Sequence, residues 1–334
     1  MVSPRTDGVD EDRWIAWLRR RVRRLGWDRI GDDGAVLPAG GPWVTTVDTQ
    51  IEGVHFFPGL DPRLVARRLL TVNLSDLAAM GAEPTYGFLA LTASPGFDLK
   101  RFFEAFIDAS HRHGVELAGG DLSRSDRVSA ALTLVGKASP GGGPARDAAR
   151  PGDRLWLGGT VGESGLGFRL LQRGARHEGR RIQLPDLGLP RRLEAAARRA
   201  VRRHLLPTPQ LELGRRLGER RRAAALDVSD GLAKDLHRLC GASGVGAVLD
   251  AERLPMPEDS QRLAGALGID WRGLALGGGE DYVLLFALPE DEAPPKGAGA
   301  TAIGRIRRRL SVEIDLPEGR RPLDPLGWDH LVSA

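Results

Sequence analysis

The sequence predicts a two-domain protein in which strands and helices alternate, and three observations support this prediction. The chain has 334 residues, which is more than one hydrophobic core usually organises. Hydrophobic residues make up 41% of the chain, an ordinary share for a soluble globular protein, so there is enough apolar material for sizeable cores. A stretch rich in Gly and Pro at residues 139–144 is typical of a boundary between domains.

The part before this boundary alternates strand and helix patterns. Asp61 is a typical N-cap, Pro62 suits a first turn and Gly81 suits the position after a last turn, so a helix is predicted over residues 64–80. Amphipathic spacing predicts another helix over residues 12–25. The other elements predicted here are strands at 43–48, 49–56, 85–92, 115–118 and 127–138 and a helix at 98–113.

The part after the boundary shows the same alternation. Residues 158–165 form a strand-to-helix turn without the lysine and spacing of a P-loop, and the sequence has no dinucleotide-binding glycine fingerprint. The Arg-rich residues 173–192 are predicted to be an exposed, mobile loop. A helix through Cys240 is predicted to end at Gly241, and the amides at its start would favour anions. The other elements predicted here are strands at 154–157, 245–250, 283–288 and 303–306 and a helix at 193–204.

Composition and charge exclude several classes of function. No stretch approaches eighteen consecutive apolar residues, and residues 1–12 lack the layout of a signal peptide. Cys240 is the only cysteine, which excludes an internal disulfide and a thiolate metal cage. The pI is near 9.7, but the net charge is only +4 and no pattern of stacking aromatic residues accompanies the arginines. We therefore expect a cytoplasmic protein that binds neither membranes nor nucleic acid.

Acidic residues recur in turns and at the ends of strands. Asp32 and Asp33 lie side by side in a glycine turn, and Asp48 ends a β-rich run. The same theme recurs at Asp76, Asp121, Asp227, Asp230 and Asp281. A single Asp-Gly turn is more often a satisfied turn than a ligand, so the argument rests on the repetition. Oxygen ligands without Cys or His select Mg²⁺, and several such ions between carboxylates and phosphates are typical of phosphoryl transfer.

The second half of the helix at 64–80 carries a further polar signal. Asn73, Ser75 and Asp76 are poor choices for the interior of a helix, because their side chains compete for backbone hydrogen bonds. They therefore indicate a polar task in a segment that is otherwise apolar.

Seven stretches follow one another along almost the whole chain: Gly31-Asp32-Asp33, Val47-Asp48-Thr49, Gly53-Val54-His55-Phe56, Asn73-Leu74-Ser75-Asp76-Leu77-Ala78-Ala79-Met80-Gly81, Gly119-Gly120-Asp121, Asp227-Val228-Ser229-Asp230-Gly231-Leu232 and Gly278-Gly279-Glu280-Asp281-Tyr282. In this order they resemble the thiamine-monophosphate kinase family, whose superfamily includes aminoimidazole ribonucleotide synthetase and selenophosphate synthetase. The resemblance implies a two-domain α+β fold, the aminoimidazole ribonucleotide synthetase-like fold, with a mixed N-terminal sheet and an α/β C-terminal domain. The expected limits are 1–139 for the N-terminal domain, 140–150 for a linker and 151–334 for the C-terminal domain.

The resemblance also implies an activity. The chain would transfer the γ-phosphoryl group of ATP to thiamine monophosphate, giving thiamine diphosphate and ADP. The implied route is direct in-line transfer with several Mg²⁺ ions, in a cleft between the two domains of each subunit of a homodimer that pairs through its N-terminal domains. The acceptor is already a phosphate oxyanion, so the obstacle is repulsion between two anions and no strong general base is needed.

Matched position by position, the family's functional residues fall into four groups. The implied Mg²⁺ ligands are Asp33, Thr46, Val47 (through its carbonyl oxygen), Asp48, Asp76, Asp121, Asp227 and Asp230. The implied ATP contacts are Gly120, Asp121, Arg146 and Ser229. The implied contacts with thiamine monophosphate are His55, Glu280 and Trp328. The residues implied in catalysis are Asp48, Asp121 and Arg146.

Alternatives stay open for the residues and for the function. His55 could be a satisfied strand histidine, Trp328 a lid on the core, Glu280 a turn cap and Arg146 one of many surface arginines. The protein could also be a sister enzyme, either aminoimidazole ribonucleotide synthetase-like or selenophosphate synthetase-like, although the latter needs a reactive N-terminal Cys that this chain lacks. It could finally be a non-catalytic Mg-nucleotide-binding protein, which the intact carboxylates disfavour. Departures from the family pattern occur at Val47, Leu122 and Val283.

Overall fold

The computed structural model describes residues 35–37, 41–179 and 181–329. In these residues the chain forms two mixed sheets with helices packed against them and a separate two-stranded hairpin. The helix predicted at residues 12–25 and the turn that carries Asp33 lie outside the described residues. Among the described helices, none has the length and apolar character that a membrane crossing requires.

Within the described residues, the N-terminal sheet has five strands. They are β1 (Ala35–Leu37), β2 (Trp43–Ile51), β3 (Glu83–Ala93), β4 (Glu116–Arg124) and β5 (Ser129–Lys137). Their spatial order is β1-β2-β5-β3-β4, with β3 and β4 parallel and the other neighbours antiparallel. Helices α1 (Pro62–Ala79) and α2 (Leu99–Arg112) cover one face, which we call the inner face. The mixed sheet that the resemblance implied is confirmed.

The C-terminal sheet has seven strands. They are β6 (Arg154–Gly158), β9 (Ala224–Asp227), β10 (Gly246–Asp250), β11 (Leu284–Leu288), β12 (Ala300–Arg307), β13 (Val312–Leu316) and β14 (Gly319–Pro322). Their order is β14-β13-β10-β12-β6-β11-β9, and among these described strands β10 and β13 pair in parallel while the other neighbours are antiparallel. The described helices of this part are α3 (Glu163–Gln172), α4 (Arg191–Leu205), α5 (Leu211–Gly218), α6 (Leu232–Ser243), α7 (Glu258–Ala266) and α8 (Trp271–Gly277).

Helix α1 lies between the two sheets and is buried along most of its length. It begins as predicted, because the Asp61 carboxylate accepts a hydrogen bond from the Arg63 amide (2.9 Å). It ends before Gly81, whose φ of +64° is in the left-handed region that suits glycine. On one side α5 approaches so closely that a Cβ at Gly214 would lie 1.9 Å from the Ala78 carbonyl oxygen. Helix α1 therefore presents side chains to both sheets at once.

The Arg-rich stretch at 173–192 differs from its prediction as an exposed loop. It contains a hairpin of β7 (Arg176–Glu178) and β8 (Arg181–Gln183). Ala175 and Ile182 are buried in the same apolar cluster as residues of α4. The prediction was wrong here because two apolar anchors are easily missed among so many arginines.

Three local boundaries also differ from the sequence predictions. Helix α6 continues past Gly241 and has its C-cap at Gly244, with φ +65°. Strand β4 continues through residues 119–121, which were predicted to be a turn, because β3 supplies a parallel partner for them. Asp48 lies inside β2 rather than at its end.

Candidate active site around helix α1

The second half of α1 makes polar contacts with β2. The Asn73 side-chain oxygen accepts a hydrogen bond from the main-chain amide of Asp48 (3.0 Å). One turn further on, the Asp76 carboxylate accepts a hydrogen bond from the Thr46 hydroxyl (2.6 Å). Thr46 and Asp48 alternate with exposed Val47, so both belong to the inner face of the sheet. The polar task predicted for this part of α1 is confirmed on this side.

Another side of α1 reaches the C-terminal sheet. The Ser75 hydroxyl donates a hydrogen bond to the Asp227 carboxylate (2.6 Å) at the end of β9, and both side chains are buried. Burial, followed by the negative charges of Glu280, Asp48 and Asp227, raises the pKa of the Tyr282 hydroxyl well above its usual value. Asn73 and Ser75, two positions apart on α1, bind Asp48 and Asp227, so the structure brings these residues from two sheets to the same region.

These residues form a set that we call the α1 cluster: Thr46, Asp48, Asn73, Ser75, Asp76 and Asp227. Its hydroxyl and carboxylate oxygens are the hard ligands that Mg²⁺ prefers, so the chemistry of the donor set fits that ion. Within the part of the chain that the structure describes, no three Asp, Glu, His or Cys side chains lie close enough to share one metal ion. Asp33, another implied ligand, lies outside that part.

Asp230 lies in a positively charged environment. Its carboxylate is 3.1 Å from the Lys234 ammonium and 2.8 Å from the Arg238 guanidinium, and it is almost fully buried. A divalent cation at Asp230 would have to displace these two positive charges. The role of Asp230 as a Mg²⁺ ligand stays a prediction, and ion binding there would require Lys234 and Arg238 to move away.

The turn before α6 binds an internal carboxylate. One oxygen of Asp235 accepts hydrogen bonds from the amides of Ser229, Asp230 and Gly231, each at 3.1 Å. The sequence predicted that amides here would favour anions. In the structure these three amides hold the side chain of Asp235, so contacts of Ser229 with ATP would have to use its other atoms.

The three residues implied in substrate binding lie around this same turn. The main-chain amide of Glu280 donates to the Ser229 carbonyl (2.6 Å), and that of Trp328 donates to the Asp230 carbonyl (2.9 Å). His55 lies near Glu280, because Gln50, five positions before His55, binds the same Arg68 guanidinium as Glu280. His55 Nδ1 accepts a hydrogen bond from a main-chain amide (3.0 Å), so its Nε2 carries the ring proton and is a donor. The structure therefore brings His55, Glu280 and Trp328 to one region.

Glu280 interacts with two residues that the sequence analysis missed. Its carboxylate forms an ion pair with the buried guanidinium of Arg68, and its second oxygen is 3.3 Å from His204 Nδ1. Burial raises the pKa of Glu280, but Arg68 and then His204 outweigh it and hold that pKa below its usual value. Burial also lowers the pKa of His204 to about 4. The sequence did not single out Arg68, because Arg63 and Arg67 lie in the same half of α1.

Asp281, which belongs to the recurring acidic theme, caps a helix. Its carboxylate accepts hydrogen bonds from the amides of Gly162 (2.8 Å) and Ser164 (3.2 Å) at the start of α3. Burial raises the pKa of Asp281 to about 7. At least one of the recurring acidic residues, Asp281, therefore makes the contacts of a helix cap.

Asp121 is not brought to the α1 cluster within one chain. Asp48 on β2 pairs with Leu132 on β5, and Leu132 pairs with Leu89 on β3. Leu89 in turn pairs with Gly120 on β4, so Asp48 and Gly120 lie at the same level across the sheet. Three strand spacings of ~4.8 Å place β2 and β4 about 14 Å apart. Asp121 is also paired with exposed Ala90, whereas Asp48 is in phase with the inner face.

The glycine before Asp121 is required by the backbone. Gly120 has φ +152°, and a Cβ there would lie 1.9 Å from the Leu89 carbonyl oxygen. A side chain at this position would therefore clash with β3. A ligand could meet Gly120 only through its backbone amide and carbonyl groups.

Arg146 lies near the far end of α6. Its carbonyl accepts a hydrogen bond from the Ser243 hydroxyl (2.9 Å) in the last turn, whereas Asp230 precedes the first turn. Twelve helical residues span about 18 Å, so the Arg146 main chain is distant from the turn that holds Asp230. The structure does not place the main chain of Arg146 beside the substrate-binding residues.

Comparisons with known proteins identify the family. The family model for the AIR synthase related protein, N-terminal domain, matches residues 31–138, and that for the C-terminal domain matches residues 150–317. The thiamine-monophosphate kinase of Salmonella typhimurium is 37% identical over 283 residues, covering 83% of this chain and 80% of that protein.

Solved structures agree with the family match. The structure described as AaThiL complexed with AMPPCP and TMP has a TM-score of 0.84 at 28% identity and covers 99% of this chain and 100% of that one. The thiamine-monophosphate kinase of Stenotrophomonas maltophilia K279a has a TM-score of 0.72 at 36% identity, covering 90% and 96% of the two chains. The chain therefore belongs to the thiamine-monophosphate kinase family, within the AIR synthase related proteins.

Proposed function

We propose that this protein uses ATP to phosphorylate thiamine monophosphate, giving thiamine diphosphate and ADP. The observation that carries the proposal is the α1 cluster, in which one helix holds oxygen ligands from both sheets in a single region. Relatives with 30–37% identity over most of the chain are thiamine-monophosphate kinases. A structural neighbour contains TMP and AMPPCP, an analogue of ATP.

The α1 cluster supplies charge and orientation for phosphoryl transfer. The ligands that we propose for Mg²⁺ are Asp33, Thr46, Val47 through its carbonyl, Asp48, Asp76, Asp121, Asp227 and Asp230. When bound, the ions neutralise phosphate charge and so reduce the repulsion between donor and acceptor. Ser75 and Thr46 each hold one carboxylate by a hydrogen bond of 2.6 Å, which limits the rotation of Asp227 and Asp76.

The residues around the turn before α6 suit thiamine monophosphate. His55 offers its Nε2 proton to an acceptor such as a phosphate oxygen. Glu280 carries a negative charge that can meet the cationic thiazolium or the pyrimidine amine. Trp328 is half exposed, and an indole ring can stack on the rings of thiamine.

The nucleotide would contact a separate set of residues. We propose Gly120, Asp121, Arg146 and Ser229 as ATP contacts, with Asp48, Asp121 and Arg146 acting in catalysis. A guanidinium such as that of Arg146 can bind phosphate oxygens through two parallel hydrogen bonds. The distance of its main chain from the substrate turn supports a role for Arg146 toward the nucleotide.

We further propose that the protein works as a homodimer. Apolar side chains are exposed on the outer face of the N-terminal sheet at Val47, Tyr86 and Phe88, and Leu122 is exposed on the edge strand β4. Exposed apolar side chains on a sheet of this kind favour association. A second copy is also the available source of Asp121 for the α1 cluster, because one chain keeps the two about 14 Å apart. The domain limits at 139 and 151, the cytoplasmic location and the absence of nucleic-acid binding stay predictions.

The activity is tested by measuring ADP release from purified protein with Mg²⁺ and ATP. We expect ADP and thiamine diphosphate with thiamine monophosphate, and neither with free thiamine. Tight binding of Mg-ATP without turnover would contradict this substrate and support a sister enzyme or a nucleotide-binding protein. A protein that binds no nucleotide would contradict the whole proposal.

A further inference from the structure

The guanidinium of Arg68 is buried between the two sheets, with 1% of the residue exposed. Each of its three nitrogens donates a hydrogen bond to a different part of the chain. Nε donates to the Gln50 side-chain oxygen on β2 (3.1 Å), Nη1 donates to the His204 carbonyl on α4, and Nη2 donates to Glu280 Oε1. A planar group held at three points has one orientation, so Arg68 is a fixed support for Glu280.

Glu280 lies in a backbone turn that needs support. Its φ is +56° and that of Tyr282 is +49°, and these are left-handed values at residues other than glycine. Such values are unfavourable for residues other than glycine, and they persist only where the surroundings hold them. Arg68 contacts both residues, because its guanidinium carbon is also 6.0 Å from the centre of the Tyr282 ring.

The two partners of the ion pair differ in their access to solvent. The Glu280 side chain is 30% exposed, whereas that of Arg68 is 1% exposed. One carboxylate oxygen of Glu280 faces Arg68, and the other is 3.3 Å from His204 Nδ1. Arg68 therefore approaches Glu280 from the protein interior, and the remaining surface of Glu280 is open to a ligand.

We propose that Arg68 is a positioning residue for substrate recognition: it holds the Glu280 carboxylate in the orientation that meets the cationic part of thiamine monophosphate. This inference rests on the proposed function, since Glu280 is there a substrate contact. Arg68 itself does not touch the substrate.

If Arg68 only supported the fold, its replacement would not raise the KM for thiamine monophosphate more than the KM for ATP. Buried ion pairs add little net stability compared with apolar residues of similar size, but they fix geometry where their partners are demanding. A lysine at position 68 keeps the positive charge and cannot reproduce the three-point contact. Arg68→Lys therefore separates the orientation of Glu280 from its charge balance.

The test compares steady-state kinetics of the wild type with Arg68→Lys, Arg68→Met and Glu280→Gln. We expect the KM for thiamine monophosphate to rise about tenfold in Arg68→Lys and about a hundredfold in Arg68→Met, while the KM for ATP stays within about twofold. Arg63→Met, at the exposed start of the same helix, is the matched control and should leave both constants unchanged. An equal rise in both KM values, or no rise for thiamine monophosphate, would overturn the inference.

A double-mutant cycle keeps the test decisive if Arg68→Met does not fold. If Arg68 acts through Glu280, Arg68→Lys combined with Glu280→Gln should raise the KM for thiamine monophosphate no further than Glu280→Gln alone. Fully additive effects would contradict the inference while leaving the proposed function intact. A wild-type enzyme that makes no thiamine diphosphate would instead contradict the proposed function, and the inference with it.

Discussion

The α1 cluster and the outer strand β4 both present acidic residues from the same recurring motif, but the fold treats them differently. In the cluster, Asp76 and Asp227 are bonded to hydroxyl groups 30 and 152 positions away in the sequence. On β4, Asp121 is exposed and accepts a hydrogen bond from Ser123, two positions along the same strand. The contacts of the cluster are thus made within one chain, whereas Asp121 is exposed on strand β4, where we propose that a second copy completes the site.

Burial explains why the difference matters. In the cluster Asp227 is buried and Asp76 is half-buried, and a carboxylate that is removed from water must be hydrogen-bonded or paired, so their contacts with Ser75 and Thr46 are costly to break. An exposed carboxylate is solvated and can turn toward a new partner at small cost. The fold therefore fixes half of the proposed metal site in advance and leaves Asp121 adaptable.

The largest expected effect is at the cluster. Asp48→Asn should lower kcat by about a thousandfold or more, because it removes charge from the proposed metal site. Asparagine has nearly the size and shape of aspartate, and the main-chain bond from Asp48 to Asn73 is kept, so the melting temperature without Mg²⁺ should stay within a few degrees. Steady-state kinetics and thermal unfolding measure the two effects.

The exposed Asp126, in the turn after β4, supplies the matched control for this substitution. Asp126→Asn should leave both kcat and the melting temperature unchanged. A large loss of thermal stability in Asp48→Asn without Mg²⁺ would show that Asp48 supports packing, and the contrast with the edge strand would then lose its functional meaning.

The second prediction tests whether the edge strand serves a second copy. Asp48→Asn and Asp121→Asn should each be inactive as homodimers. A heterodimer of the two, isolated with two affinity tags, should regain about half of wild-type activity, because one of its two sites then contains both intact aspartates. Two differently tagged Asp48→Asn chains are the control and should stay inactive. A heterodimer without activity would assign Asp121 to its own chain.

The sequence was sufficient for elements with strong local signals. Asp61, Pro62 and Gly81 defined both ends of α1, and the odd polar residues in its second half indicated the cluster. Asp281 could not be separated from the other acidic residues, because a capping carboxylate and a ligand carboxylate look alike in sequence.

What depends on tertiary packing could not be predicted. Arg68 and Glu280 are 212 positions apart, and only the packing of α1 between the sheets brings them together. Residues 119–121 have the composition of a turn, yet pairing with β3 keeps them in strand β4. The opposite faces of Asp48 and Asp121 follow from the strand register, which no single motif contains.

The smallest expected effect concerns two serines that each donate a hydrogen bond to an aspartate, one in the α1 cluster and one on strand β4. Ser75 donates to Asp227 at 2.6 Å inside the protein, and Ser123 donates to Asp121 at 2.7 Å on the surface. Ser75→Ala should lower the free energy of unfolding by about 1–3 kcal/mol, because it leaves a buried carboxylate oxygen without that donor. Ser123→Ala should change it by less than about 0.5 kcal/mol, because water replaces the hydroxyl. Urea unfolding of both variants measures the difference, and equal losses would show that burial does not distinguish the cluster from the edge.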